Sequence, residues 1–469
     1  MNGIKLARFC AAAAVILISR QLGAFMSNDS RSDPYPVFTA DSDLAPFIYE
    51  DERHPLQNVR ISGSFYRQAA NTAGLANLKP LYQPTTLTSS DVEIGDMYGP
   101  WALLALFYPE ANGSTEVQAA LMDACGIASG APVTAYFVPT EADPTGLFGG
   151  DSVPVLYRKY GGRFELDMVT PYWIGARAEF GFGRVEQFPT FTNLTSTSTY
   201  PDAAKTEVTT DVMNQFTTAI APKLALSVAP YCHSDMQDLR FYLYFCHAFE
   251  GNNKTVDGSY MPKLVFTPYV EFDCAPIPLG RRPYSALFAP AVGNDGHKAI
   301  GVTAGFTLNF LDMFTIGMDG SVTHFSEELR CNCPVPTNRY QVGVFSRKAD
   351  LLVQPGKNFS FGLTLSSEYF WYNFSAWIEL RLVNHSMDNI CLVDMVNVPG
   401  IPVPSDYPLS NIMLGILRDR SDWSTSVGNV GLTYDFTDAI SLGFFWQAPI
   451  RQRYTYRATT VMGTIFGTF

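Results

Sequence analysis

The sequence predicts an all-β fold, a closed antiparallel up-and-down transmembrane β-barrel of about twelve strands, with fourteen as the alternative and short helices in long loops. Three observations favour it. Segments of roughly ten residues alternate between apolar and polar side chains, which is the period of a strand with two different faces. The connections alternate between short and long, and the chain begins with a segment typical of a secretory signal.

The clearest alternation lies at 298–325, in two arms joined by a very short connection. The apolar side of these arms comprises Ile300, Val302, Ala304, Phe306, Leu308, Phe310, Phe314, Ile316, Met318 and Val322. Gly, Thr, Ser, Asn and Asp occupy the other side. Each arm is long enough, at roughly ten residues, to cross a bilayer as a tilted strand.

The same period recurs along the chain. The predicted strands are 59–66, 163–170, 173–184, 239–246, 264–273, 299–310, 314–323, 359–366, 374–382, 429–436, 440–446 and 457–469. A soluble, secreted β-sandwich produces the same alternation and is the alternative fold, although it leaves the long strands with aromatic ends unexplained.

The predicted connections differ between the two ends of the strands. Those near 171, 312, 371 and 437 are tight, with a longer connection at 249–261 on the same side, whereas 68–161, 185–237, 275–297, 326–356 and 385–421 are long loops. Helices are expected at 114–125 and 208–219, and the apolar runs 101–108 and 133–138 could add one further hairpin. Short periplasmic turns, long extracellular loops and an even strand number place both termini on the periplasmic side.

The start of the chain is predicted to direct export. Lys5 and Arg8 precede an apolar core at 9–19, and small residues at 22–24 offer a cleavage site. This apolar run is shorter than the roughly 20 residues of a spanning helix, although an uncleaved anchor is the alternative. The predicted domains are a signal peptide at 1–24, a periplasmic lead-in at 25–57 and the barrel at 58–469.

Composition excludes some classes of protein. The chain has 469 residues and a net charge of −12, which argues against a nucleic-acid binder. The mean hydropathy of +0.03 is far below that of a multi-span helical membrane protein. Seven cysteines follow Cys10, so some could pair after export and at least one is left over.

Charged residues of the predicted strands fall almost entirely on the polar side, where they would face the lumen. The candidate pore-lining residues are Arg177, Glu179, Arg240, Glu271, Asp319, Glu379 and Arg381. Aromatic residues cluster at strand ends, which suits the girdles at the membrane surfaces. The candidate girdle residues are Trp173, Tyr369, Trp371, Tyr372 and Trp446.

These features, with a last strand that ends in Phe469, resemble the porin type of Gram-negative outer-membrane β-barrel. The loop cysteines are similar to those of cysteine-bearing major outer-membrane proteins of intracellular bacteria. The resemblance implies a bacterial outer-membrane location, a lipid bilayer around the barrel, possible homo-oligomers, and Phe469 as the signal to the outer-membrane assembly machinery. Gly467 departs from the pattern, since many such barrels have a second aromatic residue near the end.

The leading functional hypothesis is passive diffusion of small hydrophilic solutes through the lumen, as in a porin. A barrel filled by ion pairs would not conduct, and a surface structural or adhesive protein with partner-binding loops is the alternative function. An enzyme is not expected: none of the six histidines lies in a catalytic signature, and His324 with Ser326 is the nearest pair. No cofactor is expected, nor a metal at Cys331 and Cys333, which lack a second pair at zinc-ligand spacing.

Overall fold

Twelve strands form the barrel in the computed structural model, which describes residues 59–74, 91–97, 103–108, 110, 115–126, 153–169, 174–191, 212, 214–250, 264–283, 286–310, 314–338, 341, 343–398, 401–405, 407–437 and 439–469. The barrel strands are β1 (Val59–Ala70), β2 (Val155–Val169), β3 (Ile174–Pro189), β4 (Arg240–Cys246), β5 (Leu264–Ala275), β6 (Ala299–Phe310), β7 (Phe314–Phe325), β8 (Asn358–Trp371), β9 (Phe374–His385), β10 (Trp423–Thr437), β11 (Ile440–Arg453) and β12 (Thr459–Thr468). Two further short strands extend the sheet: Tyr231–Met236 pairs with β3, and Phe249–Glu250 pairs with β5.

The sheet closes between the first and the last strand of the barrel. Strand β1 pairs with β2 on one side and with β12 on the other, where Arg60 is opposite Thr468. Val59 and Phe469 exchange two backbone hydrogen bonds of 3.1 and 2.8 Å. All neighbours are antiparallel, so the predicted closed up-and-down barrel of twelve strands is confirmed.

The apolar side of every strand faces outward. Phe65, Ile300, Leu365 and Ile465 are 51–65% exposed, while the side chains that alternate with these outward residues point inward and are largely buried. A soluble sandwich would bury these apolar side chains in a core, so the belt matches a wall that faces hydrocarbon. The described residues contain no helix that is both long and apolar enough to cross a membrane.

The two ends of the barrel differ as predicted. The connections after β2, β6, β8 and β10 have two to four residues and lie at the end that holds both termini. Among the candidate girdle residues, Trp371, Tyr372 and Trp446 are 62, 82 and 44% exposed. Trp173 and the side chain of Tyr369 lie outside the described residues.

The loop end carries a folded layer where the sequence predicts loops. An outer sheet of Glu328–Val335, Arg347–Gln354 and Asn389–Val396 rises above β7 to β9. A second small sheet joins Thr72–Gly74, Asp91–Glu93 and Thr455–Tyr456. The predicted helix near 114–125 is present as α1 (Glu116–Ala124), and α2 (Leu414–Ser421) follows the outer sheet.

Other boundaries moved. Strand β1 extends to Ala70 and β2 already begins at Val155, so the first long loop is 71–154 rather than 68–161. The predicted helix at 208–219 is present in part, since residues 212, 214 and 215 are helical and lead into a π-helical turn at Phe216–Ile220. In the run 101–108 the described part is a 3-10 helix, Leu103–Phe107, and not a strand. The run 133–138, the signal peptide and the lead-in lie outside the described residues.

An apolar core ties this layer to the inner wall of the barrel. Leu103, Phe107, Leu121 and Phe216 from the loops are fully or almost fully buried. They belong to one cluster with inward-facing barrel residues at the loop end, namely Val155, Tyr157, Val185, Val383 and Trp423. The loops therefore fold onto the outer mouth of the barrel, since hydrophobic burial holds them there.

Candidate functional site: the barrel interior

The interior brings most of the predicted pore-lining residues together. Arg177, Glu179, Glu271, Asp319, Glu379 and Arg381 all point inward and are 4–6% exposed. Arg240 also has inward parity, at the loop end of β4, where it donates a 3.4 Å hydrogen bond to Asn294. Alternation places these side chains inside because their outward neighbours are apolar. The charges group into two clusters on different parts of the wall.

The first cluster spans β2 to β5. The Arg177 guanidinium lies 2.7 Å from the Glu271 carboxylate and 4.2 Å from the centre of the Tyr242 ring. Arg163 forms a 2.7 Å ion pair with Glu179, which also accepts a hydrogen bond from the Tyr242 hydroxyl. Each cation thus has a carboxylate partner, and the phenol satisfies a further carboxylate oxygen.

The second cluster spans β7 to β10. Arg381 binds Asp319 through two N–H groups at 3.1 Å each, the bidentate geometry that suits a guanidinium and a carboxylate. The Nε of Arg381 donates to Glu379 at 2.7 Å, and Asn429 donates to the other Glu379 oxygen at the same distance. One arginine therefore holds two carboxylates that would otherwise repel each other.

The inner wall is packed rather than open. An inward side chain beside a wide aqueous channel would be accessible to water, yet Thr307, Asn309, Thr315 and Asn429 are at most 8% exposed. Gly431 on this wall makes room for an aromatic ring. A Cβ at Gly431 would meet the Trp377 indole at 2.2 Å. Large side chains fill the space, as in other small barrels.

A cavity of about 50 Å³ remains in the turn half of the interior. One wall is charged and comes from β1 to β3, with Arg60, Glu165 and Asp167. The other wall comes from β9 to β12 and includes Trp377 and Phe466. The volume holds a few water molecules, since one water requires about 10–15 Å³ on this scale.

Several interior residues were not among the sequence candidates. Arg163, Glu165 and Asp167 share the inward parity of β2, so the alternation was enough to find them. Trp377 and Phe445 are inward aromatic residues whose ring centres lie 5.6 Å apart. Phe445 is buried inside the barrel, whereas its chain neighbours Phe444 and Trp446 face outward.

A buried polar cluster anchors the loop 276–298 to the outer sheet. His297 is 1% exposed, its Nδ1 donates to the Ser326 carbonyl at 2.7 Å, and its Nε2 faces the Arg330 guanidinium. Arg330 also pairs with Asp295. Because Arg330 can only donate, Nε2 of the neutral imidazole is the acceptor.

This geometry predicts a pH-dependent loosening of the loop. Burial lowers the pKa of His297 from 6.5 to about 4, the Ser326 carbonyl opposes that shift, and Arg281 adds to it. Since the folded pKa lies below the unfolded one, the stability that the neutral ring contributes is present above pH 6.5. It is lost as the pH falls from 6.5 towards 4.

Hydrogen exchange across 276–298 should therefore accelerate between pH 7 and pH 4.5, after correction for intrinsic rates. The matched variant His297→Gln should lose this dependence, whereas the exposed His324→Gln should keep it. Equal pH profiles in the two variants would contradict the assignment.

The described residues hold no group of His, Cys, Asp and Glu that could bind a metal. No disulfide joins the seven described cysteines to one another, so none of the pairings that the sequence allows is formed among them. His324 is outward and exposed on β7, and Ser326 instead accepts a hydrogen bond from the Lys298 backbone. These two residues therefore do not form a nucleophile–base pair.

No family model and no curated protein matches the chain. Among solved structures, an outer membrane channel from Pseudomonas putida F1 aligns over 90% of this chain and 99% of its own, with 10% identity and a TM-score of 0.42. The translocator domain of the autotransporter NalP from Neisseria meningitidis covers 92% and 96% (9% identity, TM-score 0.27). The monoaromatic hydrocarbon channel CymD covers 96% and 98% (9% identity, TM-score 0.29). At these TM-scores the likeness adds nothing to the geometric argument.

Proposed function

We propose that the chain is a porin-type barrel of the bacterial outer membrane that passes small hydrophilic solutes or ions, and that the packed interior is its closed state. The observation that carries the proposal is the inner wall, which bears charges of both signs from β2 round to β10. Burying ion pairs costs more than an apolar filling of similar shape. A polar pathway for solutes through the barrel would explain why these buried ion pairs are present.

Closure has two parts in this proposal. Paired side chains such as Arg177 and Glu271 occupy the interior, and the apolar core of the loop layer covers the outer mouth. Water and ions pass only when both move apart. Rings of charge along such a path would set ion preference.

Single-channel recording in planar bilayers tests the proposal with a charge-neutral pair of substitutions. The native protein should show rare, small conductance steps. Arg177→Ala with Glu271→Ala shortens two luminal side chains without changing net charge, so the unitary conductance should rise several-fold. The control, Arg453→Ala with Asp422→Ala, removes an exposed ion pair of 3.2 Å and should match the native protein. Silence from all three proteins would exclude the channel.

The second candidate is a surface scaffold, and the outer sheet favours it. Leu329 and Val393 on this sheet are 50 and 51% exposed, and such apolar side chains would contribute to a partner-binding surface. The scaffold function requires two results. All three proteins show no conductance in planar bilayers, and replacing Leu329 and Val393 by serine abolishes binding of cells to an immobilised partner surface.

A further inference from the structure

Outward-facing charges are rare on the barrel strands, and all of them lie towards the loop end. Among the described residues they are Arg67, Arg158, Arg184, Glu186, Arg451 and Arg453. Five of these six side chains are arginines. A charge on the lipid face is unfavourable at mid-bilayer but tolerated near the interface. An anionic neighbour would therefore stabilise this excess of positive charge near the loop end.

Three of the arginines come from adjacent strands. Arg67 on β1 is opposite Tyr160 on β2, and Tyr160 is opposite Arg184 on β3. Arg158 is opposite Glu186, one outward position further along the same pair of strands. With strands about 4.8 Å apart, the three guanidinium groups can reach one headgroup roughly 10 Å wide.

One carboxylate cannot neutralise this arginine cluster. Glu186 accepts hydrogen bonds from Tyr160 at 2.7 Å and from Arg184 at 2.9 Å, which fixes both donors at the edge of the cluster. The Arg184 side chain remains 48% exposed. Arg158 lies 5.9 Å from the Phe188 ring and leaves its N–H groups available to an acceptor. The cluster keeps a net charge of two positive units.

An apolar platform lies directly below the arginine cluster. Phe65, Phe164 and Phe182 are outward and 62, 38 and 49% exposed. They surround Gly162, where a Cβ would meet the Phe182 ring at 2.9 Å and the Phe65 ring at 3.4 Å. The rings thus form a continuous surface on which an acyl chain can lie.

The height of the arginine cluster matches a lipid headgroup. Its arginines lie roughly eight to eleven residues along their strands from the turn end. With about 3.3 Å per residue and a tilt of ~40°, that is roughly 20–28 Å, the upper edge of an apolar band ~25 Å tall. We propose that β1 to β3 bind a phosphate-bearing lipid of the outer leaflet, its phosphate on Arg67, Arg158 and Arg184 and its acyl chain on the phenylalanines. This rests on the belt facing lipid and does not depend on conduction.

The test is lipid binding by the full-length protein in detergent micelles, measured by native mass spectrometry with diphosphorylated lipid A, dephosphorylated lipid A or phosphatidylcholine. Each arginine near a charged headgroup contributes about fivefold in affinity, so Arg67→Gln with Arg158→Gln should weaken binding of the diphosphorylated lipid by roughly 25-fold. Lys298→Gln with Lys357→Gln removes the same charge from exposed positions before β6 and β8, and should leave the affinity unchanged.

Arg158 is half-buried, the other three substituted side chains are exposed, and unchanged mobility in cold detergent confirms that both double variants fold. Preferential binding of the phosphorylated lipid, lost only in the β1–β2 variant, supports the site. Equal loss in the lysine variant, or equal affinity for the phosphorylated and dephosphorylated lipids, would overturn it. Neither result bears on whether the interior conducts, which the bilayer recordings decide.

Discussion

Replacing Arg381 by leucine is expected to lower the free energy of unfolding of the barrel by about 3–5 kcal/mol, the usual effect of removing one partner from a buried ion pair. Arg381 is 4% exposed and holds both Asp319 and Glu379. Without it, two carboxylates of the inner wall lose their common cation. They must then be protonated or draw water into the barrel, and both alternatives favour the unfolded state.

Guanidinium-induced unfolding in detergent micelles, followed by the gel mobility of samples that have not been boiled, measures this effect. Arg453→Leu is the matched control, because its ion pair with Asp422 is 38–45% exposed and such pairs are worth about 0–1 kcal/mol. Adding Asp319→Asn and Glu379→Gln to Arg381→Leu should restore most of the lost stability, since no uncompensated charge remains. Equal midpoints for Arg381→Leu and Arg453→Leu would contradict the buried network.

The alternation of side chains was enough to predict the barrel wall. A shift of one residue in register would turn an entire apolar face inward, so the pattern at 298–325 determines which side chains face lipid. The same parity placed Glu179, Glu271 and Arg381 inside. It could not predict their partners, because Arg177 reaches Glu271 across β4, and such pairings depend on side-chain length and strand stagger rather than on spacing along the chain.

The loop layer was harder to predict for a different reason. Its strands are short, and one of them contains a register shift between Arg330 and Cys333, which breaks the period-2 pattern. Residues such as Leu351 and Val353 become buried through contacts with distant loops. The sequence could not predict how far the lumen is filled, because glycine on an inner face can leave space or receive a neighbour's ring, and the sequence around Gly431 does not distinguish the two.

The loop layer is itself held by a buried arginine, and this leads to the second large effect. Arg347 of the outer sheet is 1% exposed, and its Nε donates to Glu110 of the first loop at 2.8 Å. Its Nη1 donates to the Pro402 carbonyl at 2.8 Å, and its guanidinium lies 5.1 Å from the centre of the Tyr407 ring. Three segments distant in sequence therefore meet on one side chain.

Arg347→Met should destabilise the layer by about 3–5 kcal/mol, because Glu110 remains buried without its cation. The barrel wall makes none of these contacts, so the effect should be local. The open population of the layer should rise by roughly a hundredfold or more. Limited proteolysis is expected to cut the loops much faster while the barrel keeps its cold-detergent mobility.

Arg451→Met removes an exposed, outward arginine and serves as the control for the same substitution. If the loop layer closes the outer mouth, Arg347→Met should also raise the open probability in planar bilayers, whereas Arg177→Ala with Glu271→Ala should change the unitary conductance. Open probability therefore reports on the loop layer, whereas unitary conductance reports on the barrel interior beneath it. Faster proteolysis without any change in conductance would show that the layer is held by Arg347 but does not close the proposed channel.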